Sequence, residues 1–153
     1  MLLRPYHPHD NEALFRLFYD TVHTINAADY PAEELAVWAR RDTDIAAWCH
    51  PFAESYTLVA ETEHTIIGFG NMTADGELDR LYVHKNYQRR GVATAVVDAL
   101  EAYAARQELG HIRTFASLTA KPFFLARGYA PVRENLVPRG GLLLKNYEMR
   151  KTL

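Results

Sequence analysis

The chain has 153 residues, of which 48% are hydrophobic and 24% charged, and its formal net charge is −2. That composition fits one soluble globular domain spanning residues 1–153, and the weak acidity excludes a global basic field for nucleic acid. The single cysteine, Cys49, rules out an internal disulfide and offers no zinc pattern, and no apolar run approaches a membrane span.

In chain order, Leu2 to Arg4 reads as a short strand stopped by Pro5. Met1-Leu2-Leu3-Arg4-Pro5 is no signal peptide, so the expected location is cytoplasmic, with no membrane partner. Asp10 is the expected N-cap of a helix reaching about Val22. Leu14, Leu17, Phe18, Val22 and Ile25 recur at helical spacing along it and read as core. Pro31, Glu33 and Glu34 open a second helix through Trp38. A short third helix spans Asp44 to Trp48 and is expected to end before Pro51, with Cys49 a buried, inert thiol.

Tyr56 to Ala60 and Thr65 to Asn71 form a predicted hairpin around Glu61 to His64. Glu77 to His84 is the next strand. A helix from Thr94 to Glu108 follows, with Val92, Val96, Ala99, Leu100 and Tyr103 on one face, and Gly110 ends it. Ile112 to Ser117 is a strand, and Ala120 to Arg127 a short helix closed by Gly128. Tyr129 to Arg133 and Leu142 to Arg150 are the last strands, around a Pro138-Arg139-Gly140-Gly141 turn. The expected architecture is α/β (α+β): a mixed, mostly antiparallel central sheet of six to seven strands flanked by helices.

Between the fourth strand and its helix lies Gln88-Arg89-Arg90-Gly91-Val92-Ala93. The first amides of a helix have no intrahelical partner, and the macrodipole is positive there. Gly91 lets backbone approach a ligand with no Cβ in the way. A strand, a basic glycine-containing loop and a helix start make a phosphate site. The competing nucleotide signatures are absent: no G-x-x-x-x-G-K-[ST], no G-x-G-x-x-G at the start of a βαβ unit, and no G-x-S-x-G. His7, His9, His23, His50, His64, His84 and His111 have no metal-ligand spacing, so no metal is expected.

This loop follows Q/R-x-x-G-x-G/A and resembles the acetyl-CoA loop of the GNAT superfamily of N-acetyltransferases, with Ala93 where a second glycine is commonest. Leu81-Tyr82-Val83-His84 resembles the family's fourth strand. Phe123-Phe124-Leu125-Ala126-Arg127-Gly128-Tyr129 is similar to its F-Y-x-x-x-G-F segment. The likeness covers about residues 56 to 150, and the first fifty match only in being helical. It implies a GNAT-like fold, acetyl-CoA as cosubstrate, and direct acetyl transfer to an amine. Leu81, Tyr82, Val83, Gln88, Arg89, Arg90, Gly91, Val92, Ala93, Thr94, Ser117 and Phe124 are then the expected cofactor contacts.

Counting back from Gln88, Glu77 falls on the position of the glutamate base in the family's histone-acetylating branch. Asp79 falls on a position used by a histidine in the arylalkylamine branch. Carboxylates at i and i+2 project to one strand face. Ser117 stands where the family usually has Asn on the pantetheine arm, and it is also placed to cap the next helix.

The family's tyrosine acid is replaced by Phe124, leaving water, Ser117 or Tyr82 as substitutes. His23, Asp29, Tyr30, Trp38 and Trp48 belong to the helices that frame the acceptor in the family. Among them, His23, Tyr30 and Trp38 are the candidate acceptor contacts for a small or aromatic amine. Two functions fit these residues: an N-acetyltransferase of a small-molecule amine, or an acyl-CoA-binding sensor with little catalysis. Monomer and homodimer both fit.

Overall fold

The computed structural model describes residues 1–153. Seven strands form one open sheet in the order β1 (Leu2–Pro5), β2 (Tyr56–Thr62), β3 (Thr65–Met72), β4 (Glu77–Val83), β5 (His111–Ser117), β7 (Leu142–Thr152), β6 (Ala130–Arg139). Every neighbouring pair is antiparallel except β4 and β5. A parallel pair needs a long crossover, and α4 (Val92–Arg106) supplies it. The mixed, mostly antiparallel architecture is the expected one.

Alternation along the strands builds a core on each face. Leu58, Ala60 and Leu78 point to α4 and α5 (Lys121–Ala126), while Val59 and Phe69 point to α1 (Asn11–Thr24), α2 (Ala32–Trp38) and α3 (Ile45–Ala53). The helix α4 buries Val92, Val96, Val97, Leu100 and Ala104. Its approach to the sheet depends on two glycines of β3. A Cβ at Gly68 would lie 2.7 Å from Val92 Cγ1, and one at Gly70 would lie 3.0 Å from Val96 Cγ1 and from the Arg80 carbonyl oxygen.

Apart from shifts of one or two residues at element ends, three features differ from expectation. The helix α3 runs through Pro51 to Ala53 because Phe52, 1% exposed, is held among the rings of Tyr6, Trp48 and Phe69. That burial outweighs the hydrogen bond that proline removes. β6 continues past Arg133 to Arg139, paired with β7 throughout, so Pro138 belongs to the strand and not to the turn. An edge strand accommodates a missing N–H. Asp10 does not cap α1 with its side chain. Its buried carboxylate instead accepts two Arg4 N–H bonds at 2.9 Å and the His7 amide at 2.9 Å, which ties β1 to the start of α1.

The far side of α4 is fixed by one carboxylate. Glu101 accepts from Tyr129 Oη at 2.8 Å, Lys151 Nζ at 3.0 Å and Arg127 Nη2 at 3.0 Å. Burial alone would raise its pKa, but these three donors outweigh burial and hold it below the usual carboxylate range. Glu101 therefore contributes stability above the ordinary carboxylate pKa that is lost as pH falls through its lowered native value. Glu101→Gln is expected to cost about 1–3 kcal/mol at neutral pH, with the difference from the parent shrinking in acid. Urea denaturation of both proteins across pH 3–7, a range spanning carboxylate titration, checks this.

Candidate active site

β4 and β5 pair over two positions only, Glu77 with Arg113 and Leu78 with Thr114, and then part. Thr114 Oγ1 donates to the Leu78 carbonyl at 2.8 Å and closes the base of the fork. Beyond it, the β4 edge facing β5 has no strand partner.

One cavity, of about 660 Å³, lies between the open edge of β4, the end of α1 and the start of α4. Gly91 precedes α4 with φ +81°, the left-handed region that favours glycine, and no side chain caps the helix. The backbone amides of residues 88 to 94 meet no protein acceptor. Arg89 is also left-handed, at φ +60°. Gln88 Nε2 donates to the Val83 carbonyl at 2.8 Å and fastens the loop to β4. These unpaired amides at a 15-residue helix start suit a phosphate group.

Of the expected cofactor contacts, Leu81, Tyr82, Val83, Gln88, Arg89, Gly91, Val92, Ala93, Thr94 and Ser117 line this one cavity. Arg90 and Phe124 do not. Arg90 lies over the Tyr87 ring at 5.3 Å. Phe124 is 2% exposed, packed against Phe123 and Tyr129, and borders the other cavity. Its neighbour Phe123 faces the groove instead. Ser117 lines this groove, and its Oγ accepts from the Ala120 amide at 3.0 Å in the turn before α5, so it does not cap the helix itself. The wall from Thr21 to Ala28 was not legible, because a helix end carries no motif.

The second cavity, of about 440 Å³, lies between β4, the aromatic residues of the N-terminal helices and the β6–β7 hairpin. Glu77 and Asp79 both line it. Asp79 is the extra residue of a β-bulge, since Asn71 opposes Arg80 and Met72 opposes Leu78. The bulge brings Arg80 to the cavity beside Asp79. The two carboxylates have separate partners rather than each other. Glu77 Oε1 accepts from Arg113 Nη2 at 2.9 Å, and Asp79 Oδ2 from the buried Asn71 amide at 3.2 Å.

Tyr30 and Trp38 line the second cavity with Phe18 and Trp48. Tyr30 Oη donates to the Lys145 carbonyl at 2.6 Å and accepts from the Leu118 amide at 2.9 Å, joining the N-terminal helices to the hairpin and to the end of β5. His23 corrects an expectation, for it reaches neither cavity. Its Nε2 lies 2.8 Å from the Ala39 carbonyl and its ring against Tyr19, so it fastens α1 to the end of α2. Asp29 accepts from Thr119 Oγ1 at 2.7 Å. Arg80 and Arg139, both lining this cavity, were missed by sequence reasoning.

Leu81, Tyr82, Ser117 and Ala120 belong to both cavities. Burial pushes the Tyr82 phenol up to about 12, while Trp38 and Arg80 draw it back, so it is protonated at neutral pH. Burial pushes Cys49 up to about 11, and at 1% exposure it touches neither cavity. No group of three or more His, Cys, Asp or Glu side chains is placed to hold a metal ion, and no helix is long and apolar enough to cross a membrane.

The profile of the family described as "Acetyltransferase (GNAT) domain" matches residues 26–152. The chain belongs to this family. It is therefore an acyltransferase that uses acetyl-CoA. Over 148 residues it is 31% identical to the uncharacterized N-acetyltransferase YafP of Escherichia coli (strain K12), covering 97% of this chain and 93% of that protein. A GCN5-related N-acetyltransferase structure from Rhodopseudomonas palustris, titled "Aminotransferase, Class-II", superimposes with TM-score 0.95 at 33% identity, covering 99% of this chain and 95% of that one. The PaiA N-acetyltransferase of Thermoplasma acidophilum, solved with coenzyme A, shares the fold with TM-score 0.81 at 18% identity, covering 99% and 98%.

Tyr30→Phe removes one hydroxyl and with it two part-buried hydrogen bonds, to the Lys145 carbonyl and from the Leu118 amide. The expected loss is about 1–3 kcal/mol, read as a lower denaturation midpoint with an unchanged slope.

Proposed function

We propose that this acetyltransferase passes the acetyl group directly to the amine of a small molecule seated in the cavity beside Glu77 and Asp79. The observation that carries this reading is the shared wall: Leu81, Tyr82, Ser117 and Ala120 border both cavities where β4 leaves β5. Acetyl-CoA supplies a thioester whose carbonyl carbon an amine can attack. The amides at the start of α4 hold its pyrophosphate, and Gly91 keeps that approach open. Amides on the unpaired edge of β4 stabilise charge developing on the acyl oxygen.

Glu77 or Asp79 takes the proton that the amine must lose, directly or through water. Tyr82 remains protonated and borders both cavities, so it supports the leaving thiolate in place of the absent family tyrosine. That help is modest, because a thiolate is a stable leaving group. A cavity of about 440 Å³ walled by Phe18, Tyr30, Trp38 and Trp48 supports a small acceptor. A thiol-release assay over a panel of amines tests this reading, and binding of CoA with no release against any amine would favour the sensor alternative.

Three substitutions separate binding from chemistry. Gly91→Glu would place bulk and negative charge at the helix start; no atom lies within 4 Å of the Cβ position, so its structural cost is the local backbone strain of φ +81°. CoA affinity is expected to fall about 10–100-fold by calorimetry in a protein that stays folded. Glu77→Gln and Asp79→Asn are expected to retain CoA affinity, with at least one lowering turnover about 10²–10⁴-fold. Normal turnover of the double variant across pH 6–9, a range bracketing amine and imidazole titration, would remove both residues from the mechanism.

A further inference from the structure

The second cavity contains two cations that its own carboxylates do not neutralise. Arg80 rises from the β4 bulge with its guanidinium 4.7 Å from the Trp48 ring centroid and 5.1 Å from that of Phe52. One of its N–H groups donates to the Trp48 carbonyl. The others have no protein acceptor, yet none is sealed from solvent, unlike the Nε atoms of Arg113 and Arg127. No carboxylate lies within ion-pair distance of it. Burial holds its pKa below the ordinary guanidinium value; Asp79, Tyr82 and Cys49 pull it upward, while Arg139, at the end of β6, adds to the lowering. A guanidinium stays charged even so.

Arg139 also has no ion-pair partner and lines the same cavity. The remaining charges are mostly spoken for: Lys145 lies 3.6 Å from Glu134, and Glu77 is paired with Arg113. Asp79, bonded only to the neutral Asn71 amide, is the one carboxylate left to face two guanidinium groups. The cavity therefore has one positive charge in excess.

We propose that the acceptor is a small amine that also carries a carboxylate, which Arg80 and Arg139 hold while the amine faces Glu77 and Asp79. This rests on the transferase reading above. A guanidinium presents parallel N–H donors that match a carboxylate, and the stacked Arg80 is held rigid for that purpose. One negative charge balances the cavity. A phosphate dianion would leave it overcharged beside Asp79. The aromatic walls accommodate an apolar body between the two ends, as in an amino acid with a hydrophobic side chain.

The test uses the CoA-loaded protein and a panel of α-amino acids, each against its amide, with phosphoethanolamine as the phosphate arm. Binding is read by fluorescence of Trp38 and Trp48, which border the site, and transfer by thiol release. At least one acid is expected to exceed its amide about 10–100-fold in affinity and in kcat/KM, the scale of charge-assisted hydrogen bonds. That ratio is expected to collapse in Arg139→Gln and to fall in Arg80→Lys, which keeps charge but loses the fork. Arg139 is exposed, so its variant retains the fold even if Arg80 variants do not. Acids and amides that bind and react alike would overturn the proposal, as would preference for phosphoethanolamine. Saturable, Arg139-dependent binding of an acid with no transfer would uphold the anion site and overturn the transferase reading. No binding and no transfer would overturn both.

Discussion

Two residue pairs hold β4 against β5, and the geometry of both cavities depends on the pairing stopping there. Had it continued, the β4 edge would have spent its amides on β5 and no gap would connect the two cavities. Unpaired strand edges are costly when buried away from water, so a fold keeps one only where water or a ligand can reach it. The Thr114–Leu78 bond fixes where the fork begins. Tyr30, bonded to both Leu118 and Lys145, fixes how the far ends are held. The opening is thus built into the sheet and does not depend on a loop.

The cavities carry positive charge in different ways. In the groove at α4, positive potential comes from Arg89 together with backbone amides and a helix end, which cannot titrate. In the second cavity it comes from Arg80 and Arg139, with Asp79 opposing them. Neither feature is visible in a net charge of −2, because composition averages over the surface while a site depends on the few charges left unpaired.

Much of the fold was legible because it rests on local regularities. The 3.6-residue period of α1 and α4, the alternation in β2 and β3, and the strand–glycine–helix junction at Gly91 are all written in consecutive residues. The groove at α4 was legible for the same reason, since most of its wall comes from Leu81 to Thr94. The acceptor side was not. Arg80 reads as an ordinary charged strand residue, and only the bulge at Asp79 brings it to the cavity. Arg139 sat in an expected turn, where pairing of β6 with β7 instead carries it to the cavity rim. His23 shares a helix with true cavity residues, but its face is turned to Ala39. Phe124 and Phe123 differ by one position in a short helix, and register there depends on packing against Tyr129.

The absence of a side chain at Gly68 has a consequence beyond its strand. Val92, the residue its missing Cβ makes room for, is also the first residue of α4 and part of the groove wall. A methyl group there would push the helix end away from the sheet and carry the unpaired amides with it. Genetic variation at position 68 would then surface as a loss of cofactor affinity, although the residue borders neither cavity. A screen for cofactor-binding residues would score this strand position alongside the loop itself.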